Sequence, residues 1–369
     1  MSGRLRPVAA AAWLEASRQW ARLRLGRRLP RRDLSHLAIV GALRRHNGIA
    51  QGALLQHAAL ARSGHPTQLV DATAALRNPF ARVPHGAASA YVFHCGGPQT
   101  ANLLLGAMPG AAHAWRIGYW AWELPDPPQD WRRFEGLVSE IWTPSRFAAE
   151  SLGKLFRTPI RVMPHIMQAQ LARHRDPAQP FTVLVMADSR SSFTRKNPAA
   201  AIEAFRQAFG NAPSARLVVK LNGGRAAVEA LSATLRDLPN LRIVTDFLDE
   251  AAMAALYRSA DVLLSLHRAE GFGLPMLEAM AHGVPVIGTG WSGNTDFMTA
   301  ANSLLVPFRL VPVEDAAGIY AGSVWAEPDV AAAAEMLRQL AGDAALHARL
   351  AGAAHATVSA SRFVLPEAA

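Results

Sequence analysis

Two glutamates, Glu270 and Glu278, stand on either side of a short glycine-rich turn in the second half of the chain. The turn follows an apolar run at 261–266, which is typical of a buried strand in a parallel sheet. Gly271 and Gly273 let backbone N–H groups approach a ligand closely, and a proline two residues later opens a helix. A strand, a glycine turn and a helix N-terminus in this order form a site for a phosphate or diphosphate.

Carboxylates on both sides of such a turn suit a nucleotide-sugar. Its diphosphate would lie on the backbone amides, while Glu270 and Glu278 would bind hydroxyls of its two sugars. The alternative is an ordinary strand–turn–helix whose glycines only shape the turn. The motif together with its strand–helix context favours the ligand site.

The segment 270–287 resembles the signature of glycosyltransferase family 4, the retaining GT-B enzymes, in which two glutamates are separated by seven residues. Glu270 and Glu278 have that spacing, and the stretches Glu-Gly-Phe-Gly-Leu-Pro and Glu-Ala-Met-Ala-x-Gly-x-Pro-Val-Ile also match. The resemblance extends over 38–340 and is strongest in 182–307. It implies that Glu270 holds the donor sugar near its reacting carbon and that Glu278 binds the nucleotide ribose. The donor would also contact the turn itself, at Gly271, Phe272, Gly273 and Leu274.

A basic pair, Arg195 and Lys196, follows the first strand of the same half. The chain has 38 basic residues, of which only three are lysines, so lysines at Lys196 and Lys220 are informative. A lysine brings a compact point charge to a leaving phosphate. In family 4 relatives a basic pair in this loop neutralises the donor diphosphate, and either Arg195 or Arg190 would be the companion of Lys196. Lys220 is expected at the same sheet edge, with a strand-end lysine reaching solvent as its alternative.

Polar residues around the turn have two interpretations. His267 would donate a hydrogen bond to the diphosphate, although a histidine at a strand end is often only a satisfied polar residue. The next strand is followed by the run Ser292-Gly293-Asn294-Thr295-Asp296, which would contact the donor sugar or cap a helix. Ser, Asn, Thr and Asp all cap well, and capping is favoured for Thr295 and Asp296.

The first half of the chain carries weaker signals. Gly48 stands where relatives carry a glycine pair near the donor phosphate, but Ala50 replaces the second glycine. Glu123 is predicted to end a strand and to orient or deprotonate the acceptor hydroxyl. Trp122 is predicted to stack on an acceptor sugar, with core packing as the alternative. Packing is favoured for Trp120, because it is the usual role of a tryptophan in a strand.

Strand and helix patterns alternate along the chain, which predicts α/β domains with parallel sheets. Helices are expected between the strands, for example at 197–209 and 226–235. Two series of six strands are expected, at 37–41, 68–71, 90–95, 116–122, 140–143 and 160–163, then at 182–187, 216–220, 241–245, 261–266, 284–288 and 304–306.

The polar segment 168–180 contains two prolines and is the expected interdomain linker. The prediction is a GT-B fold, in which two doubly wound Rossmann-like domains face an interdomain cleft. It comprises a basic amphipathic arm at 1–36, an acceptor-side domain at 37–170, a nucleotide-sugar-binding domain at 178–345 and a helical tail at 346–369.

Positive charge is concentrated near the start of the chain. The net charge is +10, and residues 1–33 hold nine arginines against Glu15 and Asp33. Arginines interleaved with tryptophan and leucine are typical of attachment to an anionic membrane surface, and a solvated basic arm is the equal alternative. Nucleic-acid binding is not expected, because the rest of the chain is near neutral and has no recognisable nucleic-acid module.

The cysteine count and the apolar runs indicate where the protein works. A single cysteine, Cys95, excludes an intrachain disulfide and fits a reducing cytosol. There is no signal-peptide pattern, and the longest uncharged run, 83–115, is broken by glycine and proline. A cytoplasmic protein is expected, with peripheral attachment to the inner face of the membrane through the basic arm.

The resemblance implies retaining, metal-independent transfer of a sugar from a UDP- or GDP-sugar to an acceptor hydroxyl on a glycan or glycolipid. Assembly of bacterial surface polysaccharide or glycolipid is the expected setting, with no cofactor besides the donor. The chain has no Asp-x-Asp metal motif, so Lys196, an arginine and a helix dipole would neutralise the diphosphate. The alternative is a catalytically silent GT-B protein that binds nucleotide-sugar or serves as a scaffold.

Overall fold

The apolar runs of the chain become the strands of two six-stranded parallel sheets in the computed structural model. It describes residues 15–365 apart from 17, 21, 22, 24, 26–29, 46, 77, 79, 80, 105–107, 173, 174, 190, 316 and 317. The chain divides into two units, Met1–Ile166 with Arg362–Ala369 and Met167–Ser361. The polypeptide therefore passes from the first unit to the second and returns.

The sheet of the first unit has the strand order β2-β1-β3-β4-β5-β6. Its strand β1 is fully buried and apolar, as expected for a parallel sheet that is covered on both faces. The elements of this unit are β1 (Leu37–Gly41), α1 (Gly48–Arg62), β2 (Thr67–Asp71), β3 (Ala90–His94), α2 (Gly97–Asn102), β4 (Trp115–Tyr119), β5 (Glu140–Thr143), α3 (Arg146–Gly153) and β6 (Ile160–Val162), with 3₁₀ turns at Pro109–His113 and Gln129–Phe134.

The sheet of the second unit has the order β12-β11-β10-β7-β8-β9. Two separate groups of buried apolar side chains cover its faces. Its elements are β7 (Phe181–Asp188), α4 (Phe193–Lys196), α5 (Pro198–Phe209), β8 (Ala215–Asn222), α6 (Gly224–Ala230), α7 (Ser232–Leu235), β9 (Leu241–Val244), α8 (Glu250–Ser259), β10 (Val262–Ser265), α9 (Leu274–Ala281), β11 (Val286–Thr289), a 3₁₀ turn (Gly293–Asp296) and β12 (Leu304–Val306), then β13 (Phe308–Pro312), β14 (Val324–Pro328), α10 (Val330–Gly342) and α11 (Ala344–Ala360).

All twelve predicted strands are present, so the prediction of two doubly wound parallel sheets is confirmed. The predicted strand 116–122 is too long, because β4 ends at Tyr119. There the Trp120 indole folds back over Gly118, whose position leaves no room for a side chain, since a Cβ would lie 2.6 Å from Trp120 Nε1. The predicted helix 226–235 is divided into α6 and α7 at Leu231.

One pair of strands was not predicted. Strands β13 and β14 pair antiparallel as a ribbon of their own, after the last strand of the second sheet. Most side chains of β13 are exposed, including Phe308 and Leu310. The strand is therefore held mainly by its pairing with β14 and little by burial.

The last described residues return to the first unit. Helix α11 packs against α9 in the second unit, and the chain leaves it at Ser361. Phe363 and Leu365 then pack against the buried core of the first unit, which includes Leu37 and Ile39. In the part of the chain that the structure describes, no helix combines the length and apolar character needed to cross a membrane.

Candidate functional site

The strand order of the second sheet places a crevice between β7 and β10. The chain winds outward in one direction from β7 and in the other from β10, so the connections that leave these two strands diverge. Ligands of doubly wound folds bind at this switch point, beyond the carboxyl ends of the strands. The connection after β7 carries Arg195 and Lys196, and the connection after β10 carries Glu270. The sheet topology thus brings together residues that lie 74 positions apart.

Glu270 makes ion pairs with both predicted cations. Lys196 Nζ donates a hydrogen bond to Glu270 Oε1. Arg195 NH1 lies 3.5 Å from Glu270 Oε2 and donates to the carbonyl of Ala269 at 2.6 Å. Arg195 and Glu270 are buried, whereas 19% of the Lys196 side chain is exposed. Lys196 is therefore the member of this triad that an incoming anion reaches most easily.

The surroundings of Glu270 keep its carboxyl ionised. Burial by itself would raise the pKa of this group, but the charges of Lys196 and Arg195 outweigh burial and lower the pKa to about 2. The triad as a whole carries one net positive charge at neutral pH. It can therefore attract an anion such as a diphosphate even while Lys196 is paired with Glu270.

The glycine turn is held in place by the segment that follows β11. Ser292 Oγ accepts a hydrogen bond from the Glu270 N–H at 2.8 Å, and the Gly293 N–H donates to the Glu270 carbonyl at 2.9 Å. A Cβ at Gly293 would lie 2.2 Å from the Gly271 carbonyl oxygen, so only glycine allows this approach. Gly273, with a φ of +105°, is the N-cap of α9.

Ser292 itself has a strained backbone, with φ +75° and ψ −155°. Strain of this kind in a non-glycine residue is characteristic of functional sites. The prediction that Thr295 caps a helix is wrong, because its hydroxyl donates to the Ser292 carbonyl at 2.7 Å within the 3₁₀ turn. Phe272 is buried against Phe297 at 5.1 Å, and Leu274 is half-buried in the first turn of α9.

His267 lies beneath the turn and is fully buried. Its Nε2 is 3.0 Å from Asn294 Oδ1, and its Nδ1 is 3.2 Å from both the hydroxyl and the carbonyl oxygen of Ser265. Burial lowers the pKa of the imidazole, while the charge of Glu270 opposes this effect. These contacts match the alternative of a satisfied polar residue, and a role in donor binding stays a prediction.

Glu278 lies on α9, two turns beyond the glycine turn, and is half-buried. Tyr257 of α8 donates a 2.5 Å hydrogen bond to Glu278 Oε2. Burial raises the pKa of the Glu278 carboxyl, and the bond from Tyr257 opposes this rise. Sequence analysis missed Tyr257, which lies 21 residues before Glu278. No recognisable spacing links the two, because their contact depends on how α8 and α9 pack.

Arg268 is a second residue whose role the sequence did not reveal. Its backbone N–H donates to the Arg195 carbonyl at 2.7 Å, and its NH1 donates to the Thr194 carbonyl at 2.9 Å. Its Nε and NH2 donate to both carboxylate oxygens of Glu327 on β14, at 2.8 and 3.2 Å. The guanidinium also lies 5.4 Å over the ring of Trp325. Arg268 thus ties the loop that carries Lys196 to the β13–β14 ribbon.

Lys220 is buried near the carboxyl end of β8, where its Nζ donates to Asn222 Oδ1 at 2.6 Å. The alternative of a lysine reaching solvent is therefore wrong. Arg190, the other candidate companion of Lys196, lies outside the described residues. Arg195 makes the contact with Glu270 that such a companion requires.

The predicted residues of the first unit occupy its own loops and helices. Glu123 is half-buried in the loop after β4, four residues beyond the strand end, which corrects the prediction that it ends the strand. Trp122 is buried, packs edge-on against Trp131 at 5.4 Å and donates to the Asp126 carbonyl at 2.9 Å. Its environment is that of a packed side chain, and acceptor stacking stays a prediction.

Two further expectations concern this unit. Trp120 is buried against Phe156 at 5.1 Å, so the prediction of core packing is confirmed. Gly48 is the exposed first residue of α1, which Asn47 caps by accepting from the Ala50 N–H at 2.9 Å. Among the described residues, no group of three or more His, Cys, Asp or Glu side chains is arranged to hold a metal ion.

Comparison with known proteins bears on the second unit and on the fold. Residues 182–355 match the family model of the glycosyl transferases group 1. No sequence among the curated proteins matches the chain. Solved structures share the fold at low sequence identity, and Anabaena HepE in complex with UDP and glucose is similar with a TM-score of 0.61 and 14% identity, over 89% of this chain and 95% of that one.

Two longer bacterial proteins are also similar. S. aureus TarM, as a mutant in complex with fondaparinux, alpha-GlcNAc-glycerol and UDP, gives a TM-score of 0.55 at 12% identity, with 73% of this chain and 51% of that chain covered. The pneumococcal O-GlcNAc transferase GtfA in complex with UDP and GlcNAc gives 0.54 at 15% identity, with 73% and 53% covered. This chain thus spans about half the length of those two structures. The prediction of a GT-B fold is confirmed, and the match to the group 1 family model is confined to residues 182–355.

Proposed function

We propose that this protein transfers a sugar from a UDP- or GDP-sugar to an acceptor hydroxyl, because residues 182–355 match the family model of the glycosyl transferases group 1. The observation that carries the proposal is the triad of Arg195, Lys196 and Glu270 at the switch point of the second sheet. Solved proteins of the same fold hold UDP together with glucose or GlcNAc, which supports a nucleotide-sugar as the donor.

In this proposal the donor diphosphate lies beside Lys196 and Arg195, above the N-terminus of α9. Lys196 moves from Glu270 to the diphosphate, and Glu270 then accepts hydrogen bonds from hydroxyls of the transferred sugar. The bond between the anomeric carbon and the phosphate oxygen breaks, while the acceptor oxygen forms a new bond on the same face. The leaving diphosphate takes the acceptor proton, so the configuration is retained without a metal ion or a cofactor. Fixed cations that meet the charge developing on the diphosphate supply the electrostatic stabilisation.

The remaining predicted residues have supporting roles in this proposal. Glu278 binds the ribose hydroxyls, the amides of the glycine turn face the diphosphate, and Lys220 adds positive charge at the end of β8. Glu123 is proposed to orient the acceptor hydroxyl, because a carboxylate within hydrogen-bond distance can align it for attack. A glycan or glycolipid acceptor in the assembly of bacterial surface polysaccharide is the proposed setting.

A catalytically silent GT-B protein is the second candidate. It would keep nucleotide binding but show no turnover. The presence of Glu270, Glu278 and Lys196 together argues against it. Measurement of both binding and turnover separates the two candidates.

The first test is donor binding. UDP, GDP, UDP-glucose, UDP-GlcNAc and GDP-mannose are screened by thermal shift, because a ligand that binds only the folded state raises its melting temperature. Calorimetry with the best ligand then compares wild type with Glu278→Ala. Loss of a hydrogen bond to a charged group costs about 1.5–3 kcal/mol, so affinity should fall at least tenfold. Glu335→Ala, an exposed glutamate on α10, is the matched control.

The second test is turnover. Radiolabelled sugar released or transferred from the best donor is measured for wild type, Lys196→Ala and Glu123→Gln. Lys196→Ala should chiefly lower turnover, because its charge matters most as the diphosphate leaves. Glu123→Gln should lower transfer far more than donor binding. Wild type that binds donor without any turnover would favour the silent candidate, and wild type that binds no nucleotide would overturn the proposal.

A further inference from the structure

Tyr257 is fixed in position before any ligand arrives. Its ring is buried between α8 and α9, with 2% of its surface exposed. It stacks on the His282 ring at the end of α9, with centroids 5.5 Å apart and planes inclined by 20°. Both the position and the direction of its hydroxyl are therefore set by packing. A buried tyrosine hydroxyl needs a hydrogen-bond partner, and here the partner is Glu278 Oε2 at 2.5 Å.

The hydrogen bond from Tyr257 uses only one of the two carboxylate oxygens of Glu278. Among the described residues, no side chain or backbone group donates to Oε1 of Glu278. An ionised carboxylate has acceptor sites on both oxygens, so Oε1 keeps its capacity for a ligand. The side chain of Glu278 is only half-buried, which leaves this oxygen a route to solvent.

We propose that Tyr257 is a positioning residue for the donor site, which holds the Glu278 carboxylate so that Oε1 is directed at the ribose hydroxyls of a nucleoside diphosphate. This inference rests on the proposed function, in which Glu278 binds the ribose. A free glutamate side chain loses rotamer entropy when a ligand orders it. Because Tyr257 already orders the carboxylate, less of that loss accompanies binding.

The protonation states of the pair support this arrangement. Burial and the charge of Glu278 raise the pKa of Tyr257 well above its ordinary value, so its hydroxyl remains a donor at neutral pH. Burial raises the pKa of Glu278, and the bond from Tyr257 counters that rise. Removal of the hydroxyl should therefore raise the pKa of Glu278 further, which favours the protonated form of the carboxyl.

Other titratable groups lie near Tyr257. His282 faces the tyrosine ring, and burial lowers the pKa of this histidine, as do the charges of Arg258 on α8 and His355 on α11. A neutral His282 therefore adds no charge of its own to the pair at neutral pH. The pH response of nucleotide binding can be assigned to Glu278 when His282→Phe, which keeps a stacked ring, shows the same midpoint as wild type.

The test uses the full-length protein and whichever of UDP or GDP raises the melting temperature of wild type more. Calorimetry is done on wild type, Tyr257→Phe, Glu278→Gln and the double variant. Tyr257→Phe keeps the ring stack but removes the donor, and it should weaken nucleotide binding about tenfold. The double variant should bind no more weakly than Glu278→Gln, because the tyrosine acts only through the glutamate. Tyr91→Phe, which alters a buried tyrosine of the first unit, should bind like wild type.

Two further measurements separate positioning from a merely structural effect. Affinity is followed from pH 5 to pH 9, and the midpoint for Tyr257→Phe should be higher than that of wild type. Glu278→Asp keeps the charge but shortens the side chain beyond the reach of Tyr257, so it should lose nearly as much affinity as Glu278→Gln. If Tyr257→Phe does not fold, the affinity of Glu278→Asp still tests the proposal.

Three outcomes would overturn the inference. They are wild-type affinity in Tyr257→Phe, an unchanged pH midpoint, and fully additive losses in the double variant. If wild type binds neither UDP nor GDP, the proposed function itself is wrong, which is a different result.

Discussion

Glu270 shows how one carboxylate can keep two cations together. Arg195 and Lys196 are adjacent in the chain, and their charges would repel each other in a partly buried loop. Glu270 contacts both and offsets this repulsion. In the proposed reaction the donor diphosphate takes over this role for Lys196. The carboxylate therefore occupies the place of an anion until the substrate arrives.

This arrangement predicts a defined acid sensitivity. The pKa of Glu270 is lowered from its ordinary value of 4.5 to about 2 in the folded protein. A lowered folded-state pKa means that the stabilisation is fully present above pH 4.5, where the unfolded chain is also ionised. It is lost as the pH falls from 4.5 to about 2. Glu270→Gln should remove this component of the acid dependence.

Chemical denaturation between pH 7 and pH 3 measures the effect. At pH 7, Glu270→Gln should unfold more easily than wild type by about 3 kcal/mol, because one partner of a buried ion pair has been removed. The difference should shrink as the pH falls. Glu335→Gln removes an exposed partner of Arg338 and should leave stability close to that of wild type. A difference that stays constant with pH would contradict the assignment.

Spacing in the sequence was enough to find the residues that one strand–turn–helix unit brings together. Glu270, Glu278 and the glycine turn belong to one such unit, and Lys196 was found because lysine is rare in this chain. Tyr257 could not be found in this way. Its contact depends on how one helix packs against another, and tyrosine is not unusual at its position.

At the scale of elements, the β13–β14 ribbon supports the loop that carries the cations. Arg268 reaches from the end of β10 to Glu327 on the ribbon and to Thr194 beside the basic pair. Its side chain is one-fifth exposed, so water weakens these bonds only in part. The ribbon thereby restrains α4, a helix of only four residues that would be marginal by itself.

Breaking this link should loosen the loop without unfolding the unit. Arg268→Gln should lower the free energy of unfolding by about 1–2 kcal/mol. Amide hydrogen exchange at 193–197 should become faster, and exchange in β7 should stay slow. Arg338→Gln, which breaks an exposed pair within α10, is the control and should leave exchange at 193–197 unchanged. Equal exchange in Arg268→Gln and wild type would show that the ribbon does not hold the loop.

The sequence predicted the strands better than the loops that follow them. Continuous apolar runs and their spacing gave all twelve sheet strands, because burial on both faces leaves a strong pattern. The prediction from sequence failed where packing against neighbouring residues determines where a strand ends. Trp120 turns the chain after Tyr119, so Glu123 lies in a loop and not at a strand end, and the ribbon includes a strand, β13, whose side chains are mostly exposed.

At the scale of the whole molecule, the basic arm remains a proposal about location. Most of it lies outside the described residues, but Arg32 lies within them and pairs with the buried Glu140 at 3.0 Å. The part of the arm near Arg32 therefore belongs to the first unit. Deletion up to residue 33 would leave Glu140 without this partner, so a test of membrane attachment must keep Arg32.

Deletion of residues 1–29 should reduce binding to liposomes that contain anionic lipid. It removes seven arginines and Glu15, and each basic residue near such a surface contributes about 1 kcal/mol. Cosedimentation at low salt measures binding, and liposomes of neutral lipid are the control. Nucleotide affinity should stay at its wild-type value. If the full-length protein does not bind anionic liposomes at low salt, the proposal of membrane attachment is wrong.

The return of the chain to the first unit also affects how the protein is made. A ribosome synthesises residues 1–166, then the whole of the second unit, and only then Phe363 and Leu365, which complete the core of the first unit. Domains of a growing chain generally fold in order of synthesis. Here the second unit has all of its own residues before the first unit has all of its residues. Part of the apolar core of the first unit therefore stays uncovered until the second unit has been synthesised.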